Sequence, residues 1–317
     1  MRKIVAEGVF VPERSNGEER EYEQRCRCVF CGTSTAEVPA AESVKVRCNV
    51  REFGAETFTV WRCAKCGSLH AKEPIDYDRY YRDYWLEGMK SGFVSKVTSQ
   101  KRMKILKRAG LESGKTLLDY GCGSGDFVRY ARERKVRAEG YDPYSEEFGD
   151  ASVLDRRYDF VTAQDVLEHV DDPRGLVVDL KSYVAPGGRM AIGTPNADAI
   201  DLHEPLDAVG PLHQPYHRHI PSAAQLQRLA SEGGLRVVEF RKLSNGDTRV
   251  PFINKAFMWR WCQSGGGFID VASDPVDLRR ILAHPYLVFW GFFGSFSSRK
   301  TDVEVVVRAS RLTPLLL

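Results

Sequence analysis

No apolar run in this 317-residue chain reaches the roughly 20 residues that a membrane-crossing helix needs. The nearest, PYLVFWGFFGSF at 285–296, is uncharged but only 12 residues long. Net charge is almost absent too: 46 basic residues against 43 acidic leave +3. That balance gives little long-range attraction for nucleic acid or an anionic membrane, so neither is an expected partner beyond weak membrane-surface contact. The stretch to Pro12 is too short and too charged for a secretory leader, with Glu13 and Arg14 following directly. A cytoplasmic location is therefore expected. Hydrophobic residues at 43% and charged residues at 28% exclude a disordered polyelectrolyte. The length suits one large α/β domain with one or two smaller modules.

Cysteine is present, but its clustering argues against disulfides. Six of the eight cysteines lie in the first 66 residues, and four of these form two C-x-x-C-G repeats, Cys28–Gly32 and Cys63–Gly67. The 31 residues between the pairs include Phe58–Arg62 (FTVWR), a strand-like run. Two thiolates three positions apart in a tight turn can grip one ion, and a glycine after the second lets the backbone turn left-handed. Cys28, Cys31, Cys63 and Cys66 are thus expected to hold a structural zinc at a closed four-sulfur site. Cys26 and Cys48 belong to neither pair and are expected to be spectators. Residues 1–75 carry 12 Lys/Arg against 11 Asp/Glu, no footprint for RNA. The charge run Lys96, Lys101, Arg102, Lys104, Lys107 and Arg108 lies on an expected helix over 93–109 and reads as a solvated face.

Thr116–Tyr120 (TLLDY) is a short apolar strand, followed by Gly121, Gly123 and Gly125 in a tight run and then by a helical stretch from Phe127. Strand, glycine turn and helix in that order make a backbone cradle for a carboxylate or phosphate. A second strand at 138–141 ends in Asp142, placed to accept hydrogen bonds from ribose hydroxyls. Together they indicate a nucleoside-containing ligand.

LLDYGCGSGDF at 117–127 resembles the first motif of class I methyltransferases that use S-adenosylmethionine (SAM), with the form D-x-G-x-G-x-G rather than the G-x-G-x-x-G usual for NAD. YDFVTAQDVLEHV at 158–170 and LKSYVAPGGRMAIGTPN at 180–196 are similar to the fourth- and fifth-strand segments of ubiquinone-biosynthesis-like methyltransferases. The likeness covers about residues 110–240, and a zinc ribbon ahead of such a domain resembles bacterial sugar and natural-product methyltransferases. It implies a Rossmann-like, seven-stranded α/β sheet whose last strand, here Asp302–Arg308, is antiparallel. It also implies that Asp119, Gly121, Gly123 and Gly125 cradle the methionine end of SAM, that Asp142 holds the ribose, and that Gln164 and Asp165 line the cleft at the sulfonium. No clear third strand lies between Asp142 and Tyr158, so Asp150 and Asp155 are the candidates for adenine.

The implied organisation is a zinc-ribbon module over 1–75, a helical linker or lid over 76–110, the SAM-binding domain over 111–242, an insertion over 243–300 and the last strand with its tail over 301–317. Methyl transfer to a hydroxyl or an acidic carbon gains from a general base, and histidine is tuned for that role. His169 closes Asp165-x-x-Glu168-His169; in the ubiquinone-pathway relatives the matching E-x-x-E-H is associated with a divalent metal. His213, His217 and His219 follow the fifth strand at the carboxyl edge of the sheet, where open α/β sheets bind ligands. His217 and His219 are the favoured bases, with His169 behind them. The aromatic-rich insertion reads as buried core, with an acceptor lid or a membrane contact as alternatives. The expected partner is a small-molecule acceptor, sugar-like, polyketide-like or quinone-like. The competing readings are an RNA methyltransferase gripping through the ribbon, against which TPN at 194–196 also speaks, and a SAM-binding scaffold without turnover.

Overall fold

The computed structural model describes residues 25–82, 92–232, 235–296 and 299–308. Residues 1–24, 83–91, 233–234, 297–298 and the expected tail over 309–317 fall outside these residues.

The chain opens with three short antiparallel strands, β1 (Glu42–Arg47), β2 (Thr57–Arg62) and β3 (Leu69–Ala71), then a short helix α1 (Tyr77–Tyr81) and a long one, α2 (Phe93–Arg108). The alternating core of the second domain follows: β4 (Thr116–Tyr120), α3 (Asp126–Arg132), β5 (Arg137–Tyr141), β6 (Tyr158–Gln164), α4 (Pro173–Ser182) and β7 (Val184–Pro195). Then come α5 (Pro205–Val209), β8 (His219–Ile220), α6 (Ala223–Glu232) and β9 (Arg236–Leu243). An insertion carries α7 (Lys255–Ser264), α8 (Leu278–Ala283) and α9 (Tyr286–Phe293), and β10 (Asp302–Arg308) closes the series.

The large sheet runs β5-β4-β6-β7-β10-β9. Its first four strands are parallel, and β10 slots antiparallel between β7 and β9. This is the Rossmann-like class I arrangement. Strands covered on both faces must be apolar throughout rather than alternating. Val303, Val305, Val306 and Val307 of β10 accordingly show no exposure at all. Six strands are described where seven were expected. Ala151–Asp155 forms a 3-10 turn instead, because Asp150 uses both carboxylate oxygens to accept from the backbone N–H and hydroxyl of Ser152. That local bond competes with a sheet ladder.

α2 packs Met103 and Leu106 against Leu117, Phe127 and Val128 beneath the glycine turn. Its charge run is only partly a solvated face. Lys101 donates to the carbonyls of Ser244 and Asp247, and Arg102 reaches into the domain. At α4, Asp172 caps the first turn by accepting from the N–H groups of Arg174 and Gly175, with Pro173 at the first helical position.

The amino-terminal strands do not stand apart. β8 joins them, giving a second sheet of order β1-β2-β3-β8, with Leu69 opposite Ile220 and His70 opposite His219. Phe30, Trp61 and Cys63 share one apolar cluster with Leu118, Val161 and Ile192 of the large sheet. Arg62 adds donations to the carbonyls of Ala197 at 2.9 Å and Ile200 at 2.7 Å. In the insertion, Trp259, Trp261 and Cys262 are buried as expected, but most of α9 is not.

Candidate active site

The cofactor end is backbone. Gly121, Gly123 and Gly125 have φ of 71°, 52° and 74°, in the region that side-chain-bearing residues rarely enter. A Cβ at Gly125 would land on the ring of Phe148 and one at Gly121 on Val166, whereas nothing lies within 4 Å of one at Gly123. The turn is thus tight beneath and open above, as a ligand passing over it needs. Asp142 accepts from the N–H of Gly123 at 2.9 Å through one oxygen and from that of Tyr144 at 3.0 Å through the other. The half-buried carboxylate ties the turn to the end of β5.

Beside this turn the chain leaves β6 through Asp165, a non-glycine residue at φ 55°. Such backbone strain persists where surrounding structure enforces it, often at ligand sites. Asp165 is exposed at this edge, yet the protein packed around its carboxyl, and then the charge of Asp302, push it up to about 6. Gln164 donates to it at 2.8 Å.

One step further lies a nest of imidazoles. His217 stands edge-on to His169 (centroids 4.8 Å) and to His213 (5.2 Å). Each ring is fixed from outside. The Nδ1–H of His217 donates to the Pro211 carbonyl at 2.6 Å, and that of His213 to Asn49 Oδ1 at 2.8 Å. His169 Nδ1 bonds the Tyr81 hydroxyl at 2.8 Å, and Tyr216 stacks on His213 at 4.6 Å. With its Nδ1 occupied, His217 turns Nε2 toward Glu168 Oε1, 4.0 Å away. Glu168 is fully buried; Oε2 accepts from Thr194 at 2.9 Å, and Oε1 has no hydrogen-bond partner. Burial holds His217 down at about 4 and His169 and His213 well below the usual imidazole range. Burial and then Asp165 push Glu168 well up. The rings are neutral at pH 7, and one proton acceptor faces one under-bonded carboxyl. Tyr81 stacks on Tyr144 at 4.9 Å, so a chain of side chains runs from Asp142 to this nest.

A second cluster sits across the small sheet. Cys28 and Cys66 sulfurs are 3.4 Å apart, Cys31 and Cys63 sulfurs 3.6 Å, and all four lie within 4.8 Å of one another. Metal–sulfur bonds of about 2.3 Å in a tetrahedron put sulfurs roughly 3.8 Å apart, so the donor set fits a zinc ion. The two knuckles are built alike. Gly32 and Gly67 have φ of 74° and 75°, and their N–H groups donate to the Cys28 and Cys63 carbonyls at 2.8 and 2.9 Å. Hydrogen bonding to Cys66 and burial push the Cys28 thiol up, while the same bond draws Cys66 down to about 5. Cys26 and Cys48 stay outside the cluster.

Residues 93–240 match the family described as "Methyltransferase domain". Together with the left-handed glycine turn, Asp142 and the antiparallel last strand, that match makes residues 93–240 a methyltransferase domain of the class I, SAM-dependent type. Among curated relatives, the O-methyltransferase resE of Aspergillus sclerotiorum is 23% identical over 62% of this chain and 84% of its own length. The ubiquinone biosynthesis O-methyltransferase of Aeromonas salmonicida is 29% identical over 44% of this chain and 73% of its own. Among solved structures, phosphoethanolamine N-methyltransferase 2 of Haemonchus contortus with SAM aligns at 16% identity and a TM-score of 0.45, covering 76% of this chain and 62% of that one.

In this methyltransferase domain the expected residues divide into three groups. Gly121, Gly123, Gly125, Asp142, Gln164 and Asp165 meet along one edge. Asp119 does not line that edge: fully buried, it takes a bidentate donation from Arg102 at 2.6 and 3.2 Å and braces the turn from below. His169 and His217 share the nest, but His219 faces the other way. Its Nδ1 meets His70 Nδ1 at 3.1 Å, and His70 Nε2 meets Cys28 Sγ at 3.2 Å; His219 sits on β8, whereas His217 belongs to the irregular stretch before it. The contacts of Asn49, Tyr81, Arg102 and Thr194 escaped the sequence, although Arg102 stood in the charge run and Thr194 in the fifth-strand segment, because each lies far along the chain from what it touches.

Proposed function

We propose that this chain moves a methyl group from SAM to a hydroxyl oxygen of a small cytoplasmic metabolite (sugar-like, polyketide-like or quinone-like), with His217 as base and a structural zinc in the four thiols. One observation carries the base. His217 Nε2 is the ring nitrogen left over once Nδ1–H is bound to Pro211, and it faces the under-bonded Glu168 Oε1 across 4.0 Å. SAM, when bound, supplies a methyl carbon for in-line displacement, the electron pair of the broken bond returning to sulfur. The acceptor hydroxyl gives its proton to His217 Nε2, and the Pro211 carbonyl that holds Nδ1–H steadies the charge that forms on the ring. Gln164 and Asp165 present an oxygen-rich wall at the carboxyl edge, and burial excludes water. The names of the curated relatives favour oxygen over nitrogen or carbon.

The test pairs His217→Ala with His217→Gln, measuring labelled-methyl transfer across an acceptor panel and SAM affinity by calorimetry. Transfer should fall by about 10²- to 10⁴-fold with SAM affinity kept. Undiminished turnover in both variants removes His217 as base.

A second reading rests on the spacing of Glu168, His169 and His217, whose donor atoms lie within 4.8 Å of one another. One carboxylate and two imidazoles suit a divalent ion that would polarise the acceptor. Elemental analysis separates the two readings: one metal per chain fits the base, and two fit the ion.

A further inference from the structure

The helix α9 is YLVFWGFF, without a charge or a hydrogen-bonding side chain apart from its tyrosine and tryptophan. A helix apolar all round belongs inside a core or a lipid phase. Here only Leu287 and Gly291 are buried. Val288, Phe289, Phe292 and Phe293 face outward, and α8 beside them adds Leu282, 80% exposed, with Phe296 beyond at 85%. Monomer surfaces rarely present so contiguous an apolar patch without a use for it.

Charge says what covers it. Residues 278–300 hold Arg279, Arg280, Arg299 and Lys300 and no Asp or Glu, a surplus of four in a chain whose total is +3. Arg279, Arg299 and Lys300 are exposed, Arg299 while also paired with Asp207. Arg260 packs over Trp290 of the helix, while Arg280 lies over the buried Trp261. The acids at the segment's start are engaged: Asp277 caps α8, and Asp274 pairs with Arg51 at 2.8 Å. Two such faces brought together in a dimer would set like charge against like. We infer that α8 and α9 dock this enzyme on an anionic membrane surface, the rings entering the headgroup boundary and the cations meeting lipid phosphates.

This mode is peripheral, since no helix among the described residues is long and apolar enough to cross a bilayer. α7 lies between the patch and the catalytic edge, with its Lys255 bound to Asp302 at 2.5 Å. Docking would therefore hold the cleft near the membrane, where a lipid-soluble acceptor concentrates.

Co-sedimentation of the full chain with phosphatidylcholine vesicles, with and without phosphatidylglycerol, tests the inference. Binding should require phosphatidylglycerol, weaken with salt, and fall about tenfold or more in Phe289→Ser/Phe292→Ser/Phe293→Ser. SAM affinity, measured by calorimetry, should not change in that variant. Arg279→Glu/Lys300→Glu should lose the preference for anionic vesicles by several-fold. Equal binding by the triple variant overturns the proposal, as does failure of the wild type to bind either vesicle. A wild-type dimer that the triple variant converts to monomer also overturns it, assigning the face to a second copy.

Discussion

The two ends of the cleft are built in opposite ways. The cofactor end is made mostly of backbone drawn from one stretch, residues 119–142, and its conformation is set by three glycines and one carboxylate. The acceptor end is made of side chains from four distant stretches: Asn49, Tyr81, 165–169 and 213–217. A backbone cradle serves one invariant ligand with few side-chain choices. A side-chain nest can be re-cut for new acceptors while the cradle stays unchanged. The contrast also predicts that damage to one end will spare the other.

The largest effect should come from the thiols. Cys63→Ser removes a ligand of the proposed zinc, an ion that contributes on the order of 10 kcal/mol to folding such modules. The small sheet holds β8, so metal content should fall from one to none and methyl transfer should vanish. SAM affinity, measured by calorimetry, should stay within a few-fold; its loss would show that the two ends are not separable. Asp142→Ala comes next. It removes the acceptor for the Gly123 and Tyr144 N–H groups as well as the ribose contact, and SAM affinity should drop about 100-fold or more, at about 1.5–3 kcal/mol for each charged hydrogen bond lost. Circular dichroism should show the fold intact.

The smallest effect is a pH dependence at the seam between the two ends. Asp165, exposed but raised to about 6 by the protein packed around its carboxyl and then by Asp302, is charged above that pH and neutral below it. A sulfonium cation favours the charged form. SAM affinity should therefore be flat above about 6 and weaken by up to about tenfold per unit below it, with proton release on binding there. Calorimetry in buffers of different ionisation enthalpy reads this directly, and Asp165→Asn should abolish the slope. A wild-type affinity unchanged down to pH 5 would detach Asp165 from the sulfonium.

The same contrast explains what could be read from the chain alone. β4, the turn and Asp142 were legible because local backbone demands leave a local signature. So were the two C-x-x-C-G knuckles, and so was the antiparallel last strand through its family likeness. His217 could be named but not separated from His219, since nothing local shows that the strand pairing with β3 begins at His219 and leaves His217 in the turn before it. Arg102, like Lys101, hid in a charge run whose other members are solvated, and only the buried Asp119 reveals its purpose. The missing third strand was visible as an absence. The exposure of α9 was not: an apolar run looks the same whether protein or another phase is to cover it.

Tyr81, stacked on Tyr144 and bonded to His169, carries a kinetic implication. Nucleoside seated against Asp142 would steady Tyr144, and through that stack set the angle of the His169 ring before any acceptor arrives. Loading would then be ordered, SAM first and acceptor second, with the spent nucleoside the last to leave.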